Sequence, residues 1–140
     1  VYENRETLVD GIFACGNVLQ VHDLVDFVSE EGEIAGRAAA KYLLDGKREK
    51  DPVEVLNGEN ISYVLPQKID KNENGHVKLF FRVTNTFRNC KIVAKCGDEV
   101  LLERKKKIVV PGEMETLLLT EAKIATVNGA IEVVVEEESL

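Results

Sequence analysis

Gly16 and Asn17, directly after the apolar run Gly11-Ile12-Phe13-Ala14-Cys15, and Asp23, Leu24 and Val25 a few residues further on, are the residues whose types and spacing offer chemistry. A short apolar run between two glycines predicts a fully buried strand over residues 11–15 that ends in a tight turn. Beyond it, Leu24, Val28, Ala35, Ala39, Tyr42 and Leu43 recur near every third and fourth position. That spacing predicts a helix opened by Asp23 and closed by Gly46 just past its end. Strand, turn and helix in that order set a helix N-terminus beside whatever the turn holds. Such a terminus carries about half a positive charge and unpaired N–H groups, so it stabilises anions and electron-rich ring edges. The small residues Gly32, Ala35, Gly36 and Ala39 let the helix approach a sheet or a cofactor closely, and a plain core helix uses alanine in the same way.

Other reactive side chains carry less. His22, just before the helix, reads either as a proton donor or substrate contact or as an ordinary loop histidine, and His76 reads as an exposed residue at a strand start. Glu30, Glu31 and Glu33 read as a solvated helix face. Cys90 and Cys96 fall on one extended stretch, roughly 20 Å apart at about 3.3 Å per residue. Neither a disulfide nor a shared zinc spans that distance, so both are expected to be free and inward-facing. Cys15 reads as packing, and the chain has no CxxC pair. No catalytic residue and no metal site is assigned.

Taken together, the residues of the first segment resemble a known pattern. Thr7, then Asp10-Gly11-Ile12-Phe13-Ala14-Cys15-Gly16-Asn17-Val18, then Glu31-Gly32-Glu33-Ile34-Ala35-Gly36-Arg37-Ala38-Ala39 resemble the C-terminal flavin motif of two-dinucleotide-domain flavoproteins, the thioredoxin reductase and glutathione reductase class. The resemblance implies that Gly16 and Asn17 form the turn beside the FAD ribitol, with Asp23, Leu24 and Val25 near flavin N1 and O2. Asn17 stands where the family usually has Asp, and its side-chain carbonyl still accepts a hydrogen bond from a ribitol hydroxyl. The function implied is an FAD-dependent oxidoreductase moving a hydride or electron pair between NAD(P)H and an acceptor.

The 140-residue chain shows this pattern at its start and has no GxGxxG, so it reads as a C-terminal fragment of such a protein. Without its pyrophosphate loop the fragment is expected to be inactive by itself. Net charge of −7 argues against nucleic acid as a partner. No apolar run approaches the roughly 18 residues of a membrane span, no signal peptide is evident, and a cytoplasmic location is expected. The one basic run, Arg104-Lys105-Lys106-Lys107, lies between apolar pairs and reads as a solvated or edge-strand gatekeeper.

Three regions are expected: residues 1–46 as the flavin-domain segment, 47–58 as a linker, and 59–140 as a β-sandwich. From residue 61 the apolar period drops to two. Ile61, Tyr63 and Leu65 form one inward set; Val77, Leu79, Phe81 and Val83 a second; Cys90, Ile92, Ala94 and Cys96 a third, with Val93 outward. Gly97-Asp98 and Asn128-Gly129 are hairpin signals, the latter between strands at 124–127 and 130–136, and Pro111-Gly112 is a turn. The fold expected is mainly β, an antiparallel immunoglobulin-like sandwich preceded by a strand-helix remnant of a Rossmann-like domain. An alternative from another class is a non-enzymatic interaction or dimerisation module, the first segment being its helical cap. In either case Ile12, Phe13, Val28 and Ala35 need cover, from the chain's own sandwich or from a second copy.

Overall fold

A computed structural model describes residues 1–73 and 75–138. Those residues form a mainly β protein with two sheets and one long helix near the N-terminus. In chain order the elements are α1 (Val25–Asp45), β1 (Pro52–Asn57), β2 (Ile61–Leu65), β3 (Lys68–Asp70), β4 (Val77–Val83), β5 (Phe87–Cys96), β6 (Glu99–Val109), β7 (Glu115–Leu119), α2 (Glu121–Ala125) and β8 (Ile131–Glu137). One sheet has the order β3-β1-β8-β5-β6 and the other β2-β4-β7.

The period-two sets explain the core. Val77, Leu79, Phe81 and Val83 all point between the sheets and meet Cys90, Ile92 and Ala94 of β5 with Ile131, Val133 and Val135 of β8. Cys90 is buried and free, and Cys96 is free but only half-buried at the core's margin. Val93, expected outward, is buried as well, beside its cross-strand partner Val134. A bulge between Ile61 and Tyr63 breaks the expected alternation of β2, so Val64 and Leu65 are both buried. Gly97, at φ 60°, turns β5 into β6, and β6 is an edge strand that exposes Arg104, Lys105 and Lys107. That is the gatekeeper placement, since charge on an edge discourages further strand pairing.

Four expectations need correction. Residues 52–57, assigned to a linker, are β1, held between β3 and β8. The β1–β8 pair is parallel, so the sandwich is not antiparallel throughout. Residues 124–127 are not a strand: Thr120 caps α2 by accepting from the Lys123 N–H, and Asn128-Gly129 is a loop. Finally, residues 11–15 are not a buried strand. The Asp10-Gly11 turn, with Gly11 at φ 79°, folds the chain back so that Phe13 bridges Glu6, and Ala14 donates to the Arg5 carbonyl at 3.0 Å. Phe13 then packs edge-on against Tyr42 and Ala35 is buried, so these two find cover within the chain; Ile12, 55 % exposed, does not.

The first segment docks on the outer face of the three-stranded sheet. Phe80 packs against His22 and Phe27 with ring centroids 5.8 and 5.9 Å away, and Lys78 lies over both phenylalanine rings. Among the described residues no helix is long and apolar enough to cross a membrane.

Gly58 marks a close approach between β1 and β8. A Cβ there would lie 2.5 Å from Val134 Cγ1 and 2.5 Å from Glu132 Oε1. Gly58→Ala is therefore expected to destabilise by about 1–3 kcal/mol, because buried Val134 has no room to retreat. A urea midpoint equal to that of the parent protein would contradict this packing.

Candidate functional site

The turn that carries two candidate residues is a single 3₁₀ turn, Gly16–Val18, with Gly16 at φ 75°, a conformation that favours glycine. It rests beside the first turns of α1, where Val28 is the nearest side chain to the open side of Gly16. Asn17 and Val18 are exposed. The helix begins at Val25 with extended Leu24 as its N-cap residue, two positions after the expected start, and no side chain caps it. Leu24 and Val25 are exposed as well. The structure thus brings Gly16, Asn17, Leu24 and Val25 to one end of α1, with Val21 adding to the exposed apolar surface there.

Asp23 does something else. Its Oδ2 accepts from the Met114 N–H at 2.8 Å and its Oδ1 accepts from Arg82 at 2.8 Å. The Met114 N–H, with Arg82 beside it, holds the carboxyl below the usual aspartate range. Arg82 also donates to the Val21 carbonyl at 2.8 Å. Asp23 thereby clamps the start of α1 on the sandwich.

What positions the turn is a buried polar cluster. Glu31, expected to be solvated, has a side chain only 2 % exposed. Its carboxylate accepts from the Gly16 N–H at 2.7 Å, Arg5 Nε at 3.1 Å and Gln20 Nε2 at 3.3 Å. His22 Nε2 lies 3.3 Å away without hydrogen-bond alignment. Burial by itself would raise the Glu31 pKa; the Gly16 N–H, the Arg5 charge and His22 outweigh it and hold the carboxyl below the usual glutamate range. Glu30 and Glu33 do face solvent, as expected. The signal for Glu31 was its position four residues after Phe27 and three before Ile34, on the helix's inner face.

Two adjoining grooves, about 370 and 570 Å³, run along that inner face and share Asn4, Glu30, Ile34 and Glu73. Neither is lined by Gly16, Asn17, Asp23, Leu24 or Val25. In the smaller groove Glu3 accepts from the Asp70 N–H at 3.0 Å through Oε2, while Oε1 is buried without a partner. Burial first, then the charges of Asp70 and Glu73, push its carboxyl up to about 7 against the pull of the Asp70 N–H. Asp70, itself buried, accepts from the N–H groups of Asp51 and Asn72 and from Arg48. Among the described residues no cluster of three or more His, Cys, Asp or Glu is placed to hold a metal.

Comparison with known proteins gives no match for this chain among protein-family models, curated proteins or solved structures.

Proposed function

We propose that residues 1–46 are the C-terminal segment of an FAD-binding domain and supply the ribitol and pyrimidine side of its site. The protein carrying them is then an FAD-dependent oxidoreductase using NAD(P)H, with the sandwich as an interaction or assembly domain. The observation that carries this reading is the juxtaposition of the Gly16–Val18 turn with the uncapped start of the 21-residue α1. The residues present fit one side of a flavin. Asn17 is exposed and would offer its amide to a ribitol hydroxyl, the first N–H groups of α1 would stabilise an electron-rich pyrimidine edge, and Val18, Leu24 and Val25 would give the ring an apolar surface. Glu31 holds the Gly16 N–H and so fixes the turn. FAD, when bound, supplies the hydride and electron transfer. Asp23 anchors this end of α1 to the sandwich through Arg82 and the Met114 N–H. That clamp is also what a second reading rests on, in which the first segment is a helical cap on a non-enzymatic binding module.

Flavin content separates the two. The natural gene product containing these residues is expected to purify with bound flavin, and Asn17→Ala should lower its flavin affinity by about 5- to 150-fold, the equivalent of the 1–3 kcal/mol lost when a buried partner goes unsatisfied. Asn17→Asp should retain it. Absence of flavin from the gene product, or full retention by Asn17→Ala through dialysis, would remove the flavin reading.

A further inference from the structure

Asparagine is followed by glycine at Asn57-Gly58, Asn74-Gly75 and Asn128-Gly129. The dipeptide is chemically reactive, because glycine has no Cβ to hinder its backbone nitrogen from turning onto the side-chain amide of the asparagine before it. In a folded chain the reaction waits on whether the two residues are free to make that turn. Asn74 lies outside the described residues; the other two pairs are held very differently.

Asn57 ends β1 and is paired with Val133 of β8. Its Nδ2 donates to the Ile61 carbonyl at 3.3 Å, and the Gly58 N–H donates to the Val133 carbonyl at 2.8 Å. Ring closure there would break both bonds and pull Asn57 out of the sheet, against the tight packing of Gly58 on Glu132 and Val134. Asn128 sits instead in the loop between α2 and β8, where residues 128–130 are all exposed. Among the described residues the Gly129 N–H has no acceptor, and the one polar partner of the Asn128 side chain is the Cys96 thiol, 3.6 Å from its Oδ1. Nothing in that loop ties the nucleophile or the amide that it attacks.

We propose that Asn128 is a site of spontaneous deamidation in the folded protein, and that the sheet shields Asn57 from the same reaction. The Gly129 nitrogen loses its proton to solvent and bonds to Asn128 Cγ. The Cγ–Nδ2 bond breaks, and Nδ2 leaves as ammonia with a proton returned from solvent, which closes a cyclic succinimide. Water then opens the ring at either carbonyl, giving aspartate or isoaspartate, with no change in oxidation state. Both products carry one further negative charge, and isoaspartate also adds a methylene to the main chain. The exposed loop takes up that extra length before Ile131, which keeps its pairing with Cys96 and Val55. None of the residues of the proposed flavin site takes part, so the inference is independent of that reading.

Peptide mapping by mass spectrometry, after ageing the folded chain at mildly alkaline pH, tests it. Trypsin separates the three pairs into peptides 51–68, 72–78 and 124–140. Asn128 should convert at least about tenfold faster than Asn57 in the folded chain, and the two rates should approach each other in guanidinium, where both are asparagine before an unrestrained glycine. Gly129→Ala should slow the conversion of Asn128 at least tenfold. That variant is compatible with the fold, because Gly129 has no positive φ and a Cβ there would meet Cys96 Sγ at an ordinary 3.8 Å. The aged chain should yield a more acidic species on ion exchange with unaltered far-UV circular dichroism. Equal rates for Asn57 and Asn128 in the folded chain overturn the inference. So does an Asn128 that converts no faster than Asn89, which precedes a cysteine, or a rate ratio that persists in guanidinium, because the fold would then not be what selects the site.

Discussion

Glu31→Ala is expected to cost about 3–5 kcal/mol of unfolding free energy, the scale seen when one partner of a buried ion pair is removed. The side chain of Arg5 is only 3 % exposed and would keep its charge with Nε unpaired, holding only the Glu3 carbonyl 2.8 Å from its Nη1. The Gly16 N–H and the Gln20 amide would lose their acceptor at the same time. Urea denaturation followed by circular dichroism reads this directly as a fall in midpoint with little change in slope. The pH dependence carries the sign of a lowered carboxyl pKa. The stability owed to Glu31 is present above the ordinary glutamate value and is lost as pH falls through the folded one, so parent and variant should converge in acid. A loss below about 1 kcal/mol at neutral pH would mean that the cluster contributes little, in conflict with its burial.

The second large effect has the opposite sign. The Glu3 carboxyl is pushed from an ordinary value near 4.5 up to about 7, so the folded state binds its proton more tightly than the unfolded state does. Below about pH 4.5 that preference adds fully to stability; through the window from 4.5 to 7 it is lost, and above 7 it is gone. The difference corresponds to about 3 kcal/mol at one pKa unit per 1.36 kcal/mol. Glu3→Gln keeps an oxygen to accept from the Asp70 N–H and removes a charge that Asp70 and Glu73 repel. The variant should be more stable than the parent at pH 8 and should lose the slope between pH 4.5 and 7. Equal midpoints for the two proteins at pH 8 would show that the Glu3 charge is not confined as the structure has it.

Where residues have an inside and an outside, the sequence showed the fold well. The alternation of Val77, Leu79, Phe81 and Val83 located β4 and its buried face, and the charged run before Ile108 located an edge strand, because both patterns arise from local contact with core or water. Features set by distant partners were not legible. Nothing in Pro52–Asn57 announces that it pairs in parallel with Ile131–Glu137, and nothing in Asp23 announces Arg82 or Met114. Asp10-Gly11 was legible and was outweighed: it is a hairpin dipeptide, and it turns Phe13 back onto Glu6. The same conflict arose at Asn128-Gly129, where the hairpin signal was favoured over Thr120, whose side chain starts a helix. In the candidate site the glycine turn and the helix were foreseen, whereas Glu31 was hidden by its neighbours, because exposed Glu30 and Glu33 flank it and only the helical period separates it from them.

The place of β8 bears on how the chain is made. The strand lies between β1 and β5, yet it is the last strand in the sequence. On a translating ribosome the β5–β6 hairpin can close once residues 99–109 have emerged, while β1 and β3 wait with nothing to join them to it. Their apolar faces stay open to chaperones and to neighbouring nascent chains until residues 131–137 arrive and zip the five strands into one sheet.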